Sequence, residues 1–94
     1  MKSLKRKLGA ICCGHVFRRE RDILFVATTP REWQFMCGQS DHYSSRDGHF
    51  VLVGVLVDFD PSLDELADLP IGWEAERSSV GSPWIVTKSN HSNT

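Results

Sequence analysis

The chain lacks the motifs by which many enzymes and metalloproteins are identified. It has no CxxC or HxxxH pair at metal-ligand spacing, and its seven glycines form neither a G-x-G-x-x-G nor a P-loop pattern. No apolar run approaches the roughly 18 residues of a membrane-spanning helix. These absences weigh against a zinc finger, a nucleotide-binding fold and an integral membrane protein.

The three cysteines favour a reducing compartment. An odd number cannot pair completely within one chain, and the neighbours Cys12 and Cys13 are sterically poor partners for each other. The basic stretch at residues 1–7 leads into an apolar segment at 8–13, which is shorter than most signal-peptide cores of about 7–15 residues. No cleavage site follows it. We therefore predict a cytoplasmic protein.

Length and composition indicate one globular domain. The 94 residues are too few for two independent cores, and 40% apolar with 24% charged residues is an ordinary balance for a folded protein. We predict a single domain, residues 1–94, with an ordered core at about residues 9–88. The basic N-terminus at 1–7 and the polar tail at 88–94 are expected to be flexible.

The charges are distributed unevenly along the chain. Residues 1–31 hold eight basic and two acidic side chains, whereas residues 32–94 hold three basic and ten acidic ones. The acidic portion suits a basic partner, although mixed charges on a folded surface often serve only solubility. The basic clusters lack the aromatic motifs of RNA-binding domains, and the pI near 6.4 argues against a nucleic-acid-binding function.

The first half of the chain predicts three strands. Residues 10–17 and 23–27 are short and apolar and flank a charged connection, which is the pattern of a β-hairpin. Residues 33–37 alternate in the period of a half-buried strand, which ends at Gly38. Residues 39–49 are rich in turn formers and predict a loop, where functional residues often lie.

The second half predicts a long strand, a helix and two short strands. Residues 50–58 are apolar on both faces and rich in β-branched side chains, which is typical of a central strand covered on both sides. An N-cap Asp60 followed by Pro61 predicts a helix over residues 61–69. Alternation predicts two further strands, at residues 73–77 and 83–87.

These elements predict an α+β fold, in which a five- to six-stranded antiparallel or mixed sheet carries one short helix packed on it. The tryptophans Trp33, Trp73 and Trp84 lie in alternating strands. We therefore expect at least two of the three to be substantially buried rather than exposed as interface anchors.

The sequence contains two distinctive segments. The first is Trp-Gln-Phe-Met-Cys-Gly at residues 33–38. The second begins at Asp60-Pro61 and runs through Leu-Pro-Ile-Gly at 69–72 to a Glu-Arg pair at 76–77. In order and spacing, over most of the chain, they resemble the signatures of a small bacterial family of unknown biochemistry that is grouped with the immunity proteins of polymorphic toxin systems. The resemblance implies a non-enzymatic protein that neutralises a toxin by binding it.

The sequence departs from this family at two places. Gln39 and Ser40 stand where two acids are usual, and Ala75 stands where an aromatic is usual. The shared residues are mostly aromatics, glycines and prolines, which define folds, so the resemblance bears on architecture more than on activity.

A partner surface is predicted from the acidic portion. A basic toxin encoded by a neighbouring gene would be bound through residues of the loop at 39–49 and of the helix, namely Asp41, His42, Tyr43, Asp47, Asp64, Glu65 and Asp68. The alternative is a regulatory module whose loop closes over a small molecule or nucleic acid through His42, Arg46 and His49.

Metal binding and catalysis are the less favoured hypotheses, and we predict neither a cofactor nor a catalytic residue. Cysteines packed in a core are common, and a structural zinc ion needs four ligands. Cys37 is the one candidate nucleophile, with His42 and His49 as its candidate bases. The candidate metal ligands are Cys12, Cys13, His15, Cys37 and His42, of which Cys13 and His15 would share one face of a strand.

Overall fold

The computed structural model describes residues 3–39 and 48–89, which form a sheet covered on one face by short helices. In chain order the elements are β1 (Gly9–Cys13), α1 (Gly14–Phe17), β2 (Phe25–Thr28), β3 (Trp33–Met36), β4 (Gly48–Leu52), α2 (Val53–Phe59), a 3₁₀ helix (Pro61–Leu66), β5 (Trp73–Glu76) and β6 (Ile85–Lys88). The strands form one sheet in the order β4-β1-β3-β2-β5-β6. Among the described strands, β1 and β3 form the parallel pair, and the other neighbouring pairs are antiparallel. The predicted α+β class is confirmed, and the expected antiparallel or mixed sheet of five to six strands is a mixed sheet of six. Three short helices are present in the described ranges where one was predicted. Within these residues no helix is long and apolar enough to cross a bilayer.

One face of the sheet packs against the helices and forms one side of the hydrophobic core; we call it the inner face. The register pairs Cys12 with Phe35, Phe35 with Val26 and Val26 with Ala75, so these side chains form a row across adjacent strands. All of them are fully buried. The helices cover this row with apolar side chains, which are Val16, Val53, Leu56, Val57, Leu63 and Leu66.

The predicted hairpin of residues 10–17 with 23–27 is wrong. Strand β1 pairs with β3 and β4, and β2 lies on the far side of β3. The reason is that the chain leaves the strand at Gly14 and forms the helical turn α1, after which Arg19 adopts a left-handed conformation with φ of 61°. The chain thus crosses over to a different part of the sheet instead of returning beside β1.

The predicted central strand at residues 50–58 is also wrong. Strand β4 ends at Leu52 and is an edge strand, and the following residues form α2. Val53, Leu56 and Val57 are buried at helical spacing, whereas Val55 is 45% exposed. A short apolar run fits either a covered strand or a buried helix, so its composition did not distinguish the two.

The segment before β1 fixes the start of α2. Because the helix has no side-chain cap, its first amides need other acceptors: Val53 N donates to Leu8 O at 2.8 Å and Gly54 N donates to Arg6 O at 2.9 Å. Leu4 is 5% exposed and lies in the core. The packed part of the domain therefore begins at Leu4, earlier than the predicted boundary at residue 9.

We expect Gly54→Ala to lower the free energy of unfolding by about 1–3 kcal/mol, because the added methyl group overpacks the contact between α2 and the N-terminal segment. A Cβ at Gly54 would lie 2.9 Å from the Arg6 Cβ and 3.0 Å from the Arg6 carbonyl oxygen, and backbone atoms cannot move aside cheaply. The gain in helix propensity, about 1 kcal/mol, only partly offsets this. Urea denaturation measures the loss.

The control for Gly54→Ala is Arg6→Ala, which keeps the Arg6 backbone and removes only the exposed ion pair with Asp58 at 2.7 Å. It should cost under about 1 kcal/mol. If Gly54→Ala proved neutral or stabilising, the N-terminal segment would not be packed tightly on α2.

Several local predictions are confirmed. Strand β2 ends at Thr28, and β3, β5 and β6 lie within or close to the predicted segments. Asp60 is an N-cap, since its side chain accepts a hydrogen bond from Ser62 N at 3.1 Å. The helix that follows is a 3₁₀ helix that ends at Leu66, three residues before the predicted end. The three tryptophans are half-buried and pack against the rim of the core.

A buried ion pair joins the 3₁₀ helix to the end of β5. The Arg77 guanidinium donates to Asp60 Oδ2 at 2.5 Å and makes two hydrogen bonds with the Ile23 carbonyl, at 2.8 and 3.2 Å. It also donates to Ser62 Oγ and lies 4.1 Å from the Trp84 ring centroid. Arg77 therefore links the end of β5 to three other parts of the chain. Asp60 and Arg77 come from opposite ends of the second signature segment.

Candidate functional site

The predicted partner surface falls into two parts. Its loop residues Asp41, His42, Tyr43 and Asp47 lie outside the described residues, as does Arg46 of the alternative ligand-binding loop. Asp64 and Glu65 lie on the 3₁₀ helix and Asp68 lies shortly after it.

The acids of the helix lie beside the basic N-terminal segment of the same chain. Asp64 Oδ1 accepts a hydrogen bond from Leu4 N at 2.8 Å. Lys5 lines the same groove as Asp68, whereas Glu65 is exposed to solvent. This part of the surface is thus mixed in charge. The sequence did not reveal this, because the basic segment was expected to be flexible.

The second face of the sheet, which we call the outer face, is mainly apolar. Its members follow from the register, which places Ile11 beside Phe50 and Gln34, and Phe25 beside Met36 and Glu76. No helix of the described ranges covers it. The described side chains on its strands, apart from the terminal Cys13, are Ile11, Phe25, Ala27, Gln34, Met36, Phe50, Leu52, Glu74, Glu76, Ile85 and Thr87.

This composition is unusual for an outer face. Antiparallel sheets with one face in the core usually carry polar side chains on the other. Here Phe50 is 69% exposed, Ile85 is 67% exposed and Leu52 is 45% exposed. The Phe50 ring lies over Gly9, where a Cβ would come within 2.6 Å of it, so the ring is held against the sheet. Sequence reasoning missed this face because it placed residues 50–58 inside the core.

A second site is a cluster of two thiols and an imidazole. The ligand atoms of Cys13, His15 and Cys37 all lie within 4.8 Å of one another, and Cys37 Sγ is 3.8 Å from His15 Nδ1. The Arg21 guanidinium donates to Cys37 Sγ at 3.8 Å. Burial raises the pKa of the Cys13 thiol, while amide donation from Val16 and Cys37 acts in the opposite direction.

The fold explains why these residues meet. Strands β1 and β3 are parallel neighbours, so Cys13 and Cys37 lie at the carboxyl ends of adjacent strands. His15 belongs to α1, not to a strand shared with Cys13 as predicted, and the helical turn brings its ring back to the cysteines.

The cluster differs from the groupings considered from sequence. Of the candidate metal ligands, Cys12 lies in the core row on the inner face and His42 lies outside the described residues. Cys37 was paired with His42 or His49 as a base, yet the imidazole beside its sulfur is that of His15. His49 stacks on Phe17 with ring centroids 4.2 Å apart.

Comparison of the chain with protein-family models, curated proteins and solved structures finds no match.

Proposed function

We propose that the chain is a non-enzymatic protein-binding domain, acting as an immunity-like inhibitor of a basic toxin, with the outer face as its contact surface. The observation that carries this proposal is the exposed apolar surface on that face. Exposed apolar patches of several hundred Å² on a folded domain commonly mark interaction sites. The resemblance of residues 33–38 and 60–77 to immunity proteins supports the inhibitory role.

The dimensions of the outer face suit a protein partner. Six strands at a spacing of about 4.8 Å span about 24 Å. Phe50 and Leu52 lie on the edge strand β4, and Ile85 lies on the opposite edge strand β6, so exposed apolar side chains are present at both edges of the face.

The charge of the outer face favours a basic partner over a second copy of this chain. Its only charged side chains among the described strand residues are Glu74 and Glu76. Two copies packed face to face would bring these carboxylates together, which is unfavourable, whereas lysine or arginine on a toxin would complement them. We also propose the cytoplasm as the location, because the three cysteines are thiols and fit a reducing compartment.

The apolar contribution is tested by Leu52→Arg, measured as binding to the protein encoded by the adjacent gene by isothermal titration calorimetry. An interface that buries Leu52 should lose about tenfold or more in affinity. The matched control is Val55→Arg, because Val55 has the same exposed fraction of 45% but lies on α2. It should bind as the unmodified protein does, and equal losses in the two variants would count against the outer face.

The electrostatic contribution is tested by reversing both outer-face charges, Glu74→Lys with Glu76→Lys. This change should weaken binding and reduce its salt dependence. The comparison variant is Glu65→Lys with Asp68→Lys, which alters the helix surface predicted from sequence. If only the helix variant lost binding, the helix would be the contact surface; if no variant did, the proposal would fail.

A further inference from the structure

We propose that Cys13, His15 and Cys37 form a binding site for a zinc ion, with a fourth coordination position left to water or an added ligand. The proposal is independent of the outer face and of toxin binding. Two thiolates and one imidazole are a donor set that selects zinc over magnesium or calcium, which prefer oxygen ligands.

The distances are close to those of a formed site. With Zn–S bonds of about 2.3 Å and Zn–N bonds of about 2.0–2.1 Å, the ligand atoms of a tetrahedral site lie about 3.5–3.8 Å apart. Cys37 Sγ and His15 Nδ1 are already 3.8 Å apart, and no ligand atom is more than 4.8 Å from another. Binding therefore needs side-chain adjustments of about 1 Å, without movement of the strands.

A charged donor lies beside one of the two sulfurs. The Arg21 guanidinium donates a hydrogen bond to Cys37 Sγ at 3.8 Å. Such outer contacts orient metal ligands and stabilise the negative charge of a bound thiolate.

Cys12 is an ordinary core cysteine and provides a contrast with the cluster. It is fully buried, and it lies on the inner face in the apolar row with Phe35 and Val26. Cys13 and Cys37 are nearly as buried, at 3% and 1% exposed, but their sulfurs face the imidazole of His15. Burial in the apolar row explains the position of Cys12, but it does not explain why the other three side chains meet.

Cobalt titration of the reduced full-length chain tests the site. We expect one equivalent of Co²⁺ to produce a thiolate-to-cobalt charge-transfer band together with the intense visible bands of tetrahedral cobalt, and zinc to displace it. Cys13→Ser and Cys37→Ser should abolish the charge-transfer band or reduce it by half. His15→Ala should weaken affinity by at least about tenfold.

Cys12→Ala is the matched control, since it removes the neighbouring buried thiol and should leave the cobalt spectrum unchanged. A titration without a saturable charge-transfer band would overturn the proposal. So would a loss in Cys12→Ala equal to that in Cys37→Ser, because the response would then report general disturbance of the fold.

A second measurement does not depend on how the variants fold. X-ray absorption on the zinc-loaded, unmodified chain should fit two sulfur ligands at about 2.3 Å and at least one imidazole nitrogen. A coordination shell made only of nitrogen and oxygen would overturn the assignment.

Discussion

Replacing Arg77 with alanine is expected to lower the free energy of unfolding by about 3–5 kcal/mol, the range observed when one partner of a buried ion pair is removed. The Arg77 side chain is 1% exposed, and its loss leaves the Asp60 carboxylate buried without its charged partner. It also deprives the Ile23 carbonyl of two hydrogen bonds. Urea denaturation followed by circular dichroism measures the change.

Two comparisons separate burial from charge in the Arg77 result. Arg6→Ala breaks an ion pair whose side chains are 56% and 69% exposed, so it should cost under about 1 kcal/mol. Asp60→Leu combined with Arg77→Met removes both charges and should recover part of the loss, because no unpaired charge stays buried. Equal costs for Arg77→Ala and Arg6→Ala would show that the Arg77 network contributes little.

The Arg77 network gives a physical reason for the second signature segment. Asp60 caps the 3₁₀ helix through Ser62 and pairs with Arg77, which lies 17 positions later in the chain. The two ends of the segment thus stabilise each other in the folded state. Residues with this role preserve a fold under many functions, so the signature by itself says little about the partner.

Local patterns predicted those parts of the fold that local forces decide. In the Asp60-Pro61 pair, the Asp60 side chain caps the helix by accepting a hydrogen bond from an amide two residues away. Apolar and polar residues alternate in β3 and β5 because one face of each strand packs against the core. Pairing between strands, in contrast, depends on parts of the chain that are distant in sequence. The parallel contact of β1 with β3 depends on the reversal at Arg19, which the charged run around it does not reveal.

Neither candidate site could be assembled from the sequence, and the reason is the same for both. The outer face is assembled from six strands, and its apolar character follows only once β4 is placed at the edge of the sheet. The Cys13, His15 and Cys37 cluster spans 25 residues and lacks metal-ligand spacing, because a strand end, a helical turn and a second strand end supply its members.

Leu56→Ala is expected to lower the free energy of unfolding by about 2–5 kcal/mol, whereas Val55→Ala should change it by less than about 1 kcal/mol. In α2 the Leu56 side chain is 3% exposed and leaves a cavity when truncated, while Val55 is 45% exposed and alanine there improves helix propensity. Urea denaturation of the two variants measures the difference.

This pair of substitutions distinguishes the helix from the central strand that the composition of residues 50–58 suggested. In a strand covered on both sides, neighbouring side chains point to opposite faces and both are buried, so the two truncations would cost similar amounts. In a helix the burial of Val53, Leu56 and Val57 leaves Val55 on the solvent side. Equal losses at Leu56 and Val55 would contradict α2 and, with it, the placement of β4 at the sheet edge.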